Sequence, residues 1–238
     1  MNCCLFCFAP LLSTDTLLHA FELQPKYTFC ATCRDKLVFI REQQAICPRC
    51  CKAWSARTTC PDCEYWQDTI GYIVSEQAIF RYNEFIVNVL WQIKHNRDIH
   101  LIRGFYPFIR AYVRKTYDLA HTVFVPIPTN KATLRRRRFN LIECVFQELQ
   151  LPITVCPLFM MSDEANVKQH TLGRNERLAA SKQRFVCDKI QLKVFKGNTW
   201  QKIVIVDDVY TTGATVMKAI KSLPHVEQDK VCSFTLFR

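Results

Sequence analysis

Residues 202–220 read KIVIVDDVYTTGATVMKAI, and the fold turns on this stretch. Ile203-Val204-Ile205-Val206 is β-branched throughout and does not alternate with polar residues. Such a run suits a central strand covered on both faces, as in a parallel sheet. Thr211-Thr212-Gly213-Ala214-Thr215 then makes a tight turn. Val216, Ile220 and Leu223 are spaced for one face of a following helix. The unit is therefore strand, loop, helix. Free backbone N–H groups in the loop and the helix N-terminus favour an anion there. Gly213 permits close backbone approach, and Thr211, Thr212 and Thr215 add hydroxyl donors. Asp207 and Asp208, side by side at the strand end, repel phosphate but suit hydroxyl donors such as a ribose diol. One ligand with both a phosphate and a cis-diol satisfies every group in the stretch. An ordinary helix cap accounts for one Asp or Thr, not for two acids and three threonines.

The stretch resembles the phosphoribosyl-pyrophosphate (PRPP) signature of type I phosphoribosyltransferases: four apolar residues, two acids and a Thr-Gly-x-Thr turn. That resemblance implies PRPP, with magnesium on its pyrophosphate, held by Asp207, Asp208, Thr211, Thr212, Gly213, Ala214 and Thr215. No residue is singled out as catalytic.

Upstream, helices alternate with strands. Phe80 to about Lys94 and Leu101 to Tyr117 read as helices, Thr122–Ile127 as a strand, and Leu141–Leu149 as a helix. ITVCPLF (153–159) reads as another strand, and Val231–Phe237 as the final one. Alternation of this kind predicts an α/β domain with a parallel sheet. Ligands in such folds sit at the carboxyl ends of the strands. The polar segment from Met161 to Gln183, with Lys168, His170, Gly173, Arg174, Arg177 and Lys182, reads either as a flap or as a surface loop.

Ten of the fourteen cysteines precede residue 64. Eight form C-x-x-C pairs: Cys4/Cys7, Cys30/Cys33, Cys47/Cys50 and Cys60/Cys63. Each pair aims two thiolates at one ion, so four pairs predict two structural zinc sites in a small double ribbon. Sequential pairing is simpler; a cross-braced arrangement, first with third and second with fourth, stays open. A disulfide framework is the alternative for a secreted chain, and an iron–sulfur centre is a further alternative, since four-cysteine sets also hold those. The start, MNCCLFCFAPLL, lacks a positive n-region and reads as metal-binding rather than as a signal peptide. No window approaches 18 apolar residues, so no membrane span is expected.

Charge divides at the same border. Residues 1–68 hold seven Lys/Arg and seven Asp/Glu, so the net charge of +11 belongs to residues 69–238. An anionic partner is expected, either nucleic acid or a polyphosphate. PTNKATLRRRRFN (128–140) follows the strand ending at Ile127 and carries Lys131 and four consecutive arginines. Arg135 and Arg138 are three apart and would share a helical face. With Lys131, and with Phe139 to stack a base, they are the candidate contacts to single-stranded DNA.

In order, the cysteine ribbon, the VPIP strand with its arginine-rich RRFN turn, the polar flap and VIVDDVYTTGAT are similar to the ComF family of bacterial competence proteins. The resemblance covers nearly the whole chain. It implies a double zinc ribbon (1–68) followed by a phosphoribosyltransferase-like domain (69–238). Because only the ribbon depends on metal in this reading, a chelator is expected to unfold it and leave the second domain largely folded. The resemblance also implies cytoplasmic location, a part in taking up single-stranded DNA, and contact with uptake or recombination proteins such as a helicase-like translocase or a recombinase loader. Nucleotide salvage by a true phosphoribosyltransferase, and a non-catalytic zinc-ribbon adaptor, are the alternatives. The family usually reads Arg-Gly-Phe-Asn-Gln where this chain has Arg137-Arg138-Phe139-Asn140-Leu141. It often has Gly after the third cysteine pair, where Cys51 stands here, and many members have Asn near Ala180 in the flap.

Overall fold

Ile203–Val206 lies at the centre of a five-stranded, all-parallel sheet. The computed structural model describes residues 3–11, 28–56, 58–71, 74–161, 185–223 and 228–238. The polar segment after Met161, with Ala180 in it, lies outside them. The strands are β1 (Ser75–Phe80), β2 (Thr122–Pro126), β3 (Thr154–Val155), β4 (Phe159–Met161), β5 (Phe185–Cys187), β6 (Lys202–Val209) and β7 (Val231–Phe237). The helices are α1 (Ala31–Arg34), α2 (Pro61–Ile70), α3 (Glu84–Trp91), α4 (Tyr106–Thr116), α5 (Lys131–Arg137), α6 (Leu141–Glu148), α7 (Lys189–Lys196) and α8 (Ala214–Lys221).

The sheet order is β1-β7-β6-β2-β3, while β4 and β5 form a separate antiparallel pair. Along β6, Val204 and Val206 join one core and Ile203 and Ile205 the other. Both faces are therefore covered, which is why the run never alternates. The first core is aromatic, built from Phe80, Phe105, Phe124, Phe234 and Phe237 beneath α3, α4 and α6. The second gathers Val123, Val125, Val216, Met217 and Ile220 beneath α8.

Each core also takes in one half of the cysteine-rich part. Cys4, Phe29, Cys33 and Leu37 belong to the first core; Cys47, Cys50, Cys60, Cys63 and Trp66 belong to the second. Phe29 packs so closely that a Cβ on Gly104 would lie 2.1 Å from its ring. Backbone bonds cross as well, from Glu76 N–H to Arg49 O and from Arg81 N–H to Val38 O, both at 2.8 Å.

Several elements depart from expectation. Phe80 ends a strand rather than opening a helix; α3 starts after Asn83, whose side chain accepts from Ile86 N–H. The chain then widens into a π turn, Gln92–Asn96, instead of remaining α-helical. Leu101 lies in a 3₁₀ turn, Ile99–Phe105, and the α-helix begins only at Tyr106, with Pro107 in its first turn. The expected strand over 153–159 is two: Pro157 has no N–H to give a ladder, so β3 ends before it and β4 pairs elsewhere.

Arg138 and Cys51 both hold left-handed backbone, at φ 68° and 58°. These are the two positions where the family resemblance places glycine. An L-residue there costs about 1–2 kcal/mol. Arg138 is the C-cap of α5, its N–H bonded to Leu134 O, a site that favours glycine. Arg138→Gly is expected to stabilise the protein by about 0.5–1 kcal/mol once glycine's unfolded-state freedom is subtracted. Urea unfolding measures this, and an unchanged midpoint would remove the strain argument.

Candidate functional site

The carboxyl ends of β2 and β6 open onto a cleft of about 240 Å³. Register explains why they meet: Pro126 pairs with Val206, and Ile127 N–H bonds Val206 O at 2.9 Å. Asp207, Asp208 and Thr215 line it together with Thr129, Asn130, Thr133, Arg137 and Lys94. Met161 and Phe185, paired across β4 and β5, also border it.

Lys94 comes from the π turn, and its Nζ lies 2.6 Å from Asp208 Oδ2. Asp207 Oδ1 accepts the Asp208 backbone N–H at 2.8 Å. Burial, and then the Asp208 charge beside it, push the Asp207 carboxyl up to about 7. The two acids thus differ: Asp208 is held by a cation, while burial and the Asp208 charge draw Asp207 towards its neutral form. Arg137 Nε is buried and has no hydrogen-bond partner among the described residues. Burial draws the guanidinium below its ordinary value, opposed by Asp208. An orphan donor, an ammonium and a helix N-terminus facing two carboxylates form a site fitted to a ligand with both anionic and hydroxyl groups.

The loop reading and the arginine reading fare differently in detail. Of the loop residues, Thr215 lines the cleft; Thr211 is exposed, and Gly213 caps α8 at φ 81°. Arg135 and Arg138 do not share a helical face, because α5 ends at Arg137 and Arg138 turns left-handed. Both are exposed, as is Lys131. The arginine that enters the cleft is Arg137. Phe139 is half-buried and packs against the aromatic core. Asn140 is the structural residue of RRFN. It caps α6 by accepting from Ile142 and Glu143 N–H, and it donates to Ile127 O at 3.1 Å, pinning the cleft floor.

The cysteine pairs assemble sequentially. Cys4, Cys7, Cys30 and Cys33 form one tetrad, and Cys47, Cys50, Cys60 and Cys63 the other; in each, the four Sγ atoms lie within 4.8 Å of one another. Measured edges are 3.6 Å (Cys7–Cys30), 3.8 Å (Cys47–Cys63) and 3.5 Å (Cys50–Cys60). A tetrahedral zinc with Zn–S near 2.3 Å has S···S edges of about 3.8 Å, so both tetrads could hold zinc. None of the fourteen cysteines is in a disulfide. The Arg238 guanidinium, 3.1 Å from Cys50 Sγ, favours the thiolate form that a zinc ligand requires. Cys51, outside the tetrads, donates to Glu76 O at 3.3 Å.

Among the described residues no helix is long and apolar enough to cross a membrane. No family model matches the chain. It is 31% identical to competence protein ComFC of Bacillus subtilis (strain 168), over 99% of this chain and 94% of the relative. The chain belongs to the ComFC family. A second ComFC protein, from Streptococcus pneumoniae (strain ATCC BAA-255 / R6), is 27% identical over 88% of this chain and 87% of its own length. The ComFC relationship thus spans the cysteine tetrads and the cleft together.

Lys94 and Arg137 were the site residues hidden from sequence reading. Lys94 carries no local signal beyond being a lone cation after an apolar helix. Arg137 could be told from its three neighbours only by the phase of α5, which Asn130 sets by accepting from Thr133 N–H.

Proposed function

We propose that the cleft binds PRPP or a closely related ribose phosphate, with magnesium on the pyrophosphate, and that the chain serves natural transformation by handling single-stranded DNA as it enters the cytoplasm. The carrying observation is the convergence of Asp207, Asp208, Lys94, Arg137 and Thr215 on one cleft at the strand ends. In this reading Asp207 and Asp208 accept from ribose hydroxyls, and the Thr211–Thr215 loop takes the phosphate. Lys94 and Arg137 neutralise the pyrophosphate. Exposed Lys131 and Arg135 on α5, and Arg138 just after it, contact the DNA backbone. Residues 1–68, as a zinc-bearing double ribbon, and residues 69–238 act as the two functional parts. A helicase-like translocase or a recombinase loader is the protein partner. The competence role is supported by the names of the relatives.

A thermal-shift and binding series tests this. PRPP at about a hundred times its Kd is expected to stabilise the parent by about 2.7 kcal/mol. Asp207→Ala with Asp208→Ala is expected to abolish that gain. Single-stranded DNA affinity should fall with salt at a log–log slope of about −0.7 per phosphate contact. Arg135→Ala with Arg138→Ala should make the slope shallower by about 1.4 if both touch phosphate. No shift with millimolar PRPP would leave the adaptor reading; pyrophosphate release in the presence of free bases would favour salvage.

A further inference from the structure

The second cysteine tetrad and the Thr211–Thr215 loop are joined by two side chains. Trp66 lies on α2, three residues beyond Cys63, and its indole N–H donates to Thr212 O at 2.7 Å. Arg238 donates through Nε to Cys50 O at 2.7 Å and through one terminal nitrogen to Cys50 Sγ at 3.1 Å. Its other terminal nitrogen donates to Tyr210 O at 3.1 Å and to Thr211 O at 2.6 Å. The guanidinium also lies 4.9 Å from the centre of the Tyr210 ring. Gly213 closes over this assembly: a Cβ there would lie 2.2 Å from Tyr210 Oη and 3.3 Å from Trp66 Nε1.

Three consecutive carbonyls, those of Tyr210, Thr211 and Thr212, are thus held towards the tetrad side. No peptide among the described residues is cis. In a trans peptide the C=O and the following N–H point in opposite directions. The N–H groups of Thr211, Thr212 and Gly213 are therefore turned away from the tetrad. Consecutive N–H groups presented together ahead of a helix N-terminus make an anion-binding concavity.

We propose that Arg238 and Trp66 are positioning residues through which the metal centre of Cys47, Cys50, Cys60 and Cys63 sets the orientation of the loop amides and hence its affinity for a phosphate group. Arg238 bonds a ligand sulfur and two loop carbonyls with one planar fork, so a change in the thiolate cage moves the loop. Lysine, whose three N–H donors all sit on one nitrogen, cannot reproduce this planar fork. This coupling rests on the phosphate reading of the loop, and it makes the ribbon part of the binding site rather than an appendage.

The test uses the full chain purified with its metal, with Arg238→Gln and, as a variant that keeps the core packing, Trp66→Phe. Amide exchange across Thr211–Thr215 is expected to speed up about tenfold in each variant. PRPP Kd should rise about tenfold, while zinc content and exchange across the Ile203–Val206 run stay at parent values. With cobalt(II) in place of zinc, PRPP is expected to shift the thiolate-to-metal charge-transfer band in the parent and not in Arg238→Gln, because coupling between two sites is reciprocal. A purely structural role moves no such band. Unchanged loop exchange in both variants overturns the proposal, as does faster exchange with unchanged PRPP affinity or a cobalt band indifferent to PRPP in a parent that binds it. A parent that binds no PRPP refutes the phosphate reading; loop exchange alone then decides the coupling, and an unchanged rate sinks it.

Discussion

Stripping metal from this protein is expected to unfold the sheet along with the cysteine-rich part, in one cooperative step. Reading the sequence alone, in which only the ribbon depends on metal, predicts two separate events. The packing replaces that expectation. Cys4 and Cys33 lie in the same core as Phe80, Phe105 and Phe237, and the second tetrad lies with Val125, Ile205 and Tyr210. Backbone bonds from Glu76 and Arg81, and one from Asn83 Nδ2 to Lys36 O, tie the edge of the sheet to the ribbon. A structural zinc supplies about 10–16 kcal/mol of folding energy, as much as a whole domain's usual net stability of about 5–15 kcal/mol. Losing two leaves each face of the sheet with an unpinned cover. Far-UV circular dichroism during a chelator titration, read against metal release, checks this. A first step that sheds metal while most of the ellipticity persists would show that the sheet stands alone.

Glu76→Gln is expected to make the protein markedly more stable in alkali. Glu76 is 2% exposed, on β1 opposite Ser233 of β7. Thr235 Oγ1 donates to its Oε1 at 2.6 Å, while Oε2 has no partner among the described residues. Burial pushes the carboxyl from its ordinary 4.5 up to about 8, against the pull of Ser233, Thr235 and Arg238. The sign follows from proton linkage: the fold keeps a proton that the unfolded chain releases. Stability from this group is therefore complete below about pH 4.5 and is lost as pH rises towards 8. Asp207, pushed up to about 7, adds a loss of the same sign. From about pH 6 to about pH 9 the parent is expected to lose about 3 kcal/mol that the glutamine variant keeps. Urea unfolding at both pH values measures it. Parallel losses in parent and variant would mean that Glu76 is already ionised in the fold.

Glu76 also shows why part of the fold was illegible. SEQAIF (75–80) begins with polar residues, and nothing local reveals that Glu76 finds Thr235 or that Tyr117 Oη donates to Gln77 Oε1 at 2.7 Å. A strand whose polar groups are satisfied by distant partners loses its hydrophobic signature. The Ile203–Val206 run was legible because both of its faces are apolar, so burial is written into composition. The tetrads were legible because each C-x-x-C pair is local and sequential pairing joins neighbours. Lys94 and Arg137 were not: one depends on a π turn and a tertiary ion pair, the other on where α5 starts and on the backbone reversal at Arg138.

β7 follows every other strand in the sequence, yet it lies between β1 and β6. Ser75 pairs with Cys232 and Ile203 with Val231. During synthesis the sheet therefore cannot close until residues 231–237 clear the ribosome. At about 5–20 residues per second, that comes about 8–30 s after β1 emerges. The tetrads draw all their ligands from the first 63 residues and can take up metal long before then. For that interval Cys4, Cys33 and the second tetrad's neighbours present apolar surface with no sheet to cover it, alongside an unpaired β1. A cell making this protein faces its greatest aggregation risk after the cysteine-rich part has emerged and while β7 is still awaited.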